Sequence, residues 1–219
     1  TVVGDEAGTA ITTGDYNTTI GFSAGASVTT GEQNVIIGAL AGDALTDADY
    51  NVAIGLAALS ADTLGSRSTA IGHGALENQN FTSATDTYNT AVGYVAGLSI
   101  TTGVQNTLIG GQAGDAITTA NNNVALGKSA LGATTTGGSN VAIAVNALGL
   151  NTTGATNVAI GQDTLYNNTT ASNNTAVGHN AMVANTTGAS NVALGHTALA
   201  SNTTGTQNTA VGALAGDSI

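Results

Sequence analysis

The chain has no cysteine, no proline and no tryptophan, and aromatic residues make up only 3% of its 219 residues. Without cysteine it can form neither a disulfide framework nor a thiolate metal site. Only Arg67 and Lys128 are basic, against thirteen acidic residues, and the net charge is −11. Binding to nucleic acid requires a basic surface, so we exclude nucleic acid as a partner. The sequence shows no signal peptide and no run of 18 apolar residues.

Small and aliphatic residues dominate what is present. Glycine accounts for 31 residues, and the 42% hydrophobic fraction comes mostly from Ala, Val, Ile and Leu. Ordinary globular cores are built from Leu, Phe and other large side chains. This composition instead predicts a narrow core filled by small side chains.

A 17-residue repeat runs through the whole sequence. Its consensus is N-[TV]-A-[IV]-G-x-x-A-[LG]-x-x-x-T-T-G-x-x, with Ser68 at one first position and a single step of 21 residues. A period this short excludes helix-turn-helix units and leucine-rich repeats, and it allows two short strands and two turns. The asparagines of the first position are Asn17, Asn34, Asn51, Asn89, Asn106, Asn123, Asn140, Asn157, Asn174, Asn191 and Asn208.

Three positions of the repeat predict how the coils pack. The first is nearly always Asn, which predicts a ladder of stacked amides along the axis. The fifth is Gly except at Ala144, which indicates a corner with positive φ or a close backbone approach. The fourth is never polar, so we predict that it forms the core. Its residues are Val3, Ile20, Ile37, Ile54, Ile71, Val92, Ile109, Leu126, Ile143, Ile160, Val177, Leu194 and Val211.

The predicted fold is all-β: a parallel β-solenoid, or β-roll, of about thirteen 17-residue coils. Stacking such coils buries a continuous core that no coil can bury alone. We expect residues 1–219 to form a single repeat array, with a four-residue insertion near 78–87. The array begins and ends within a coil. We therefore expect it to be part of a longer chain or of a head-to-tail filament.

The repeat unit resembles that of trimeric autotransporter adhesin heads of the YadA type. The motif N-x-A-[IV]-G-x-x-A, found at 51–58 and at 174–181, carries the resemblance, and similar arrays are found in phage tail fibres. The resemblance implies a left-handed β-roll, three chains about an axis, and display on a cell or virion surface. The family's repeat is usually shorter, nearer fourteen residues, so a longer outer strand or turn is expected here.

Candidate chemistry is sparse. His179 and His196 occupy the sixth position of adjacent coils and are weak candidates for a divalent-metal site. We favour a variable surface position, because Phe22, Lys128 and Gln162 occupy it in other coils. No hydroxyl is marked as an activated nucleophile, and no phosphate-binding loop is present. We expect no enzyme activity and no cofactor.

Asn-x-Thr acceptor patterns for glycosylation recur at one position of the repeat, the twelfth. Glycans there would form a stripe along the rod. Such patterns also arise by chance in an Asn- and Thr-rich repeat. The candidate sites are Asn151, Asn168, Asn185 and Asn202.

The function that we predict is an extracellular structural and adhesive fibre, a stiff shaft or filament subunit on a cell surface. Self-association as a trimer or a head-to-tail filament would accompany it, and surface glycans or a host receptor are possible ligands. Two alternatives remain: a phage tail-fibre segment that binds a host receptor, and an ice- or glycan-binding module. Adjacent Thr-Thr pairs weaken the ice-binding alternative, because neighbouring strand residues point to opposite faces.

Overall fold

The computed structural model describes residues 1–217 as a parallel β-solenoid. Thirteen strands stack in one parallel sheet, and two further strands pair beside it. The described residues contain no helix of the length and hydropathy that a membrane span needs. The strands are β1 (Val2–Val3), β2 (Thr18–Ile20), β3 (Val35–Ile37), β4 (Val52–Ile54), β5 (Gly65–Ser66), β6 (Thr69–Ile71), β7 (Thr85–Asp86), β8 (Thr90–Val92), β9 (Thr107–Ile109), β10 (Val124–Leu126), β11 (Val141–Ile143), β12 (Val158–Ile160), β13 (Thr175–Val177), β14 (Val192–Leu194) and β15 (Thr209–Val211).

The register repeats the sequence period. Val124 pairs with Val141 one coil later, a step of 17 residues. The exception is β6 with β8, where Thr69 pairs with Thr90 and the step is 21. The pair β5 and β7 forms a small second sheet within this longer coil. At about 4.8 Å between strands, the thirteen strands make a rod roughly 60 Å long. The predicted solenoid is confirmed, and its left hand stays a prediction.

Backbone hydrogen bonds join neighbouring coils all around the circumference. Within the sheet, Val35 N donates to Asn51 O at 2.8 Å. Past the strand, Gly25 N donates to Ala41 O at 2.9 Å, and Thr29 N donates to Thr46 O at 2.9 Å. Strands of only three residues are therefore enough, because the turns continue the ladder that the strands begin.

The backbone at the fifth position favours glycine for two reasons. Gly38 has φ 131°, and a Cβ added to it would lie 2.5 Å from Gly55 O in the next coil. Ala144, the one exception, also has positive φ, at 103°. Positive φ and a close backbone approach, the two explanations that the repeat suggests for this glycine, therefore both apply at this corner.

The core lies at the third position and not at the fourth, so the predicted core is wrong. Leu108, at the centre of β9, is fully buried, whereas its neighbour Ile109 is 39% exposed. Successive side chains of a strand point to opposite faces, and the central residue of each strand points inward. The predicted residues are half-buried or exposed on the outer face; they are Val3, Ile20, Ile37, Ile54, Ile71, Val92, Ile109, Leu126, Ile143, Ile160, Val177, Leu194 and Val211.

The actual interior is filled by alanine and, in most coils, by one large aliphatic side chain at the ninth or twelfth position; two coils bury a second one at the third position, Ile36 and Leu108. Alanine stands at the third position of nine coils and at the eighth of most, as at Ala142 and Ala147, which are fully buried. The cross-section is too narrow for two large side chains to face each other there. The small-residue core that the composition predicts is therefore present, at different positions from those predicted.

Coils of two types differ in which position, the ninth or the twelfth, supplies the large buried side chain. In one type the ninth position is Gly and the twelfth is aliphatic, as with Gly114 and Ile117. In the other the ninth is Leu or Met and the twelfth is polar, as with Leu148 and Asn151. A Cβ on Gly114 would lie 2.8 Å from Ile117 Cδ1. The two side chains compete for the same interior space, so only one of them can be large.

Candidate functional site

The asparagines of the first position form an internal ladder along the rod. Asn17 Oδ1 accepts from Asn34 N at 2.9 Å and from Asn34 Nδ2 at 3.1 Å. Asn34 Nδ2 also donates to Ala48 O at 2.7 Å, within its own coil. The side chains are buried along most of the rod. Most of these amides therefore satisfy a backbone group in their own coil and another in the next, which fixes the spacing of the coils.

The ladder is interrupted at Ser68 and bridged by the inserted segment. Gln79 Nε2 donates to Ser68 Oγ at 2.8 Å, and Gln79 Oε1 accepts from Asn89 Nδ2 at 2.8 Å. Asp62 Oδ2 accepts from Gln79 Nε2 at 2.6 Å, and Asp62 Oδ1 accepts from Phe81 N at 3.0 Å. Burial raises the pKa of Asp62, and these hydrogen bonds offset part of the increase. The longer coil thus keeps the ladder connected.

The four candidate glycosylation sites are wrong, because they form a second buried ladder. Asn168 Nδ2 donates to Asn151 Oδ1 at 2.9 Å and to Ala171 O at 3.0 Å. Asn185 and Asn202 repeat the pattern in the next coils. Their side chains are at most 4% exposed. A glycan on Nδ2 would need the space and the hydrogen bonds that the core already uses. Asn151, Asn168, Asn185 and Asn202 are therefore structural.

The sequence does contain a signal for this second ladder. Within each coil the residue at the ninth position correlates with that at the twelfth, Gly with an aliphatic residue and Leu or Met with a polar one. A surface position would vary independently of its neighbours. The correlation indicates two positions that share a buried volume.

The two histidines lie together but not as metal ligands. His179 and His196 are exposed and stack face to face, with ring centroids 5.4 Å apart and planes 11° apart. One metal ion holds imidazole nitrogens at about 2.0–2.1 Å, which requires rings that converge on a point. His73 and Tyr94 stack in the same way at 5.4 Å. Within residues 1–217 no three His, Asp or Glu side chains are grouped so as to hold a metal.

The outer face of the large sheet is mostly aliphatic and carries no charge. It is made by the second and fourth positions of the coils, where only Val, Ile, Leu and Thr occur. Leu126, Ile160 and Leu194 are 36–45% exposed there, and Val124 is 37% exposed. With side chains at two positions per strand, the face is roughly 60 Å by 10 Å, or about 600 Å². Threonine holds the second position in seven of the thirteen coils, so the aliphatic part is smaller than the whole face, but it runs the full length of the sheet along the fourth position.

Threonine hydroxyls of the thirteenth position are used within the rod. At the thirteenth position Thr118 Oγ1 donates to Thr135 O at 3.1 Å, and Thr135 Oγ1 donates to Thr152 O at 3.2 Å. The adjacent fourteenth position, as at Thr119 and Thr136, is exposed. Only one column of hydroxyls therefore faces water along this side, which does not favour an ice-binding surface of paired threonines.

No family model, no curated protein and no solved structure matches this chain. The resemblance to adhesin heads therefore rests on the repeat motif alone.

Proposed function

We propose that the chain is the shaft of an extracellular structural and adhesive fibre, and that copies of it pack side by side through the outer face of the large sheet. The observation that carries the proposal is the uncharged aliphatic face on a chain whose net charge is −11. A surface facing only water has no need to exclude charge from two positions in every coil.

The size of the face supports lateral packing. A specific interface buries about 800 Å² from each partner, and the face supplies roughly 600 Å² before its flanking residues are counted. The coils present this face in register, because every strand contributes the same two positions. Copies of one rod can therefore match along their whole length, as a trimer or a larger bundle. Burial of Val, Ile and Leu side chains would supply the driving force.

The hydrogen-bond ladders of the interior support a mechanical role for the rod. A continuous backbone ladder and two amide ladders connect each coil to the next. A force along the axis acts on many hydrogen bonds in each coil at once. Such a rod suits a stiff spacer between a surface and whatever the fibre contacts. The extracellular location is part of the proposal and is supported by the resemblance of the repeat to adhesin heads.

The test compares two substitutions in one coil. Ile160→Asp places a charge on the outer face of β12, and Thr170→Asp places the same charge on the exposed fourteenth position, where Asp47 occurs naturally. Sedimentation equilibrium should show an oligomer for the wild type and for Thr170→Asp, and a monomer for Ile160→Asp with an unchanged circular-dichroism spectrum. A wild-type chain that stays monomeric at tens of micromolar would refute the proposal.

Electron microscopy separates the two modes of assembly. Side-by-side packing predicts discrete particles one rod long, which Ile160→Asp reduces to single thin rods. Long filaments that persist in Ile160→Asp would show that the coil ends, and not the sheet face, join the copies.

A further inference from the structure

A cleft of about 290 Å³ opens at the tenth position of four consecutive coils. These positions are held by Asp115, Gly132, Gly149 and Tyr166. At about 4.8 Å per coil, the two end residues are about 14 Å apart along the rod. The two glycines between them leave a gap in a column that elsewhere carries side chains such as Leu98. The cleft therefore exists because two adjacent coils lack a side chain.

The ends of the cleft differ in chemistry. The Tyr166 ring lies across the backbone of Gly149, since a Cβ added there would be 2.7 Å from Tyr166 Cε2. At the other end, Asp115 Oδ1 would lie 3.7 Å from a Cβ on Gly132, so the carboxylate leans over the cleft floor. An aromatic ring and a carboxylate thus border one small space.

Polar groups along one side of the cleft both donate and accept hydrogen bonds. Ser129 contributes a hydroxyl and Asn146 an amide. Asn146 Nδ2 donates to Asp163 Oδ1 at 2.9 Å, which fixes the amide and leaves its oxygen to accept from a ligand. Burial raises the pKa of Asp115, although its own amide and that of Ala116 lower it in part.

We infer that this cleft binds a neutral sugar ring, with its C–H face on Tyr166 and its hydroxyls on Asp115, Asn146 and Ser129. A pyranose has one apolar face and hydroxyls that both donate and accept, which is the combination that the lining offers. An anion is disfavoured, because the lining carries a carboxylate and no positive charge. A simple amine would use only the carboxylate. The inference extends the adhesive role proposed above and rests on that role for its biological use.

The affinity of one such site is low and gains from repetition. A ligand the size of a monosaccharide in an open cleft is expected to bind with a dissociation constant on the order of 1 mM. A bundle of several rods would present several copies of the cleft at one level, and a polymeric glycan would then bind with increased avidity. The site and the bundle are therefore complementary, but each can be measured without the other.

The test is saturation-transfer NMR on the whole chain, with the methyl glycosides of glucose, galactose, mannose and N-acetylglucosamine as probes. We expect transfer to at least one glycoside, with binding weakened at least tenfold by Tyr166→Ala and by Gly132→Leu. Gly132 does not have positive φ, and the tenth position carries leucine at Leu98, so this filling variant should fold.

Each variant has a matched control. Tyr94→Ala removes an exposed tyrosine elsewhere, and Ala200→Leu adds a leucine at the tenth position of another coil; both should bind as the wild type does. No transfer to any of the four glycosides, or binding unchanged by Gly132→Leu, would overturn the inference. Transfer to butylamine and to none of the glycosides would overturn the class of ligand. A wild-type chain that assembles but binds none of the glycosides refutes this site alone. A wild-type chain that binds a glycoside but does not assemble refutes only the proposed packing.

Discussion

The assignment of the inward face leads to a sharp prediction on two adjacent residues. Leu108 is fully buried at the centre of β9, and Ile109 beside it is 39% exposed. Truncating a buried leucine to alanine typically costs 2–5 kcal/mol, because the lost contacts leave a cavity. We expect Leu108→Ala to destabilise its coil by about 3 kcal/mol. Ile109→Ala loses only part of its burial and should cost roughly 1 kcal/mol.

The measurement must be local, because a stacked array need not unfold as one unit. Hydrogen exchange followed by mass spectrometry reports the opening of the peptides that span β9 and its neighbours. About 3 kcal/mol corresponds to roughly a hundredfold faster exchange. The samples should be dilute enough to be monomeric, since packing of copies would add burial at Ile109. Equal acceleration in the two variants, or a larger effect of Ile109→Ala, would refute the inward assignment of the third position.

Three further predictions follow from the buried positions. Gly114→Leu alone should lower the melting temperature, since the new side chain clashes with Leu108 and Ile117. The triple variant that also carries Leu108→Ala and Ile117→Asn converts the coil to the other type. Its melting temperature should return most of the way to that of the wild type. A raised folded-state pKa means that Asp62 binds its proton more tightly in the folded chain than in the unfolded chain. Its contribution is therefore fully present below the unfolded pKa of about 3.9 and lost as pH rises through the folded pKa. Wild type should gain stability relative to Asp62→Asn on acidification from pH 7, as measured by chemical denaturation at each pH, and a pH-independent difference would contradict this. Asn168→Asp sets a buried carboxylate oxygen against two acceptors and should cost about 1–3 kcal/mol or more in urea unfolding at pH 7; an unchanged midpoint would contradict the second ladder.

The repeat was readable from the sequence because one backbone geometry recurs thirteen times. Gly at the fifth position and Asn at the first each answer a requirement of the local backbone, positive φ at one and an unsatisfied carbonyl at the other. Requirements of this kind restrict the residue type at one position directly. The parallel register then follows, since equal coils stack with equal positions in contact.

The inward face could not be read in the same way. A strand of three residues shows one alternation at most, and a shift of one residue exchanges the two faces. The fourth position has the larger aliphatic side chains, and so it resembled a core. Alanine at the third position, as at Ala142, is what a narrow interior accepts. Only the assembled cross-section shows how little room there is.

The repeat period, the ladder residue and the acidic charge were thus determined by the sequence alone, because each depends on one residue type at one position. The tertiary structure decided which side of the strand is buried, that the twelfth-position asparagines are internal, and that Asp115 and Tyr166 border one cleft. These properties depend on distances between side chains in different coils. Stacking brings together residues 17, 34 or 51 positions apart, and what they share is a volume that no single coil defines.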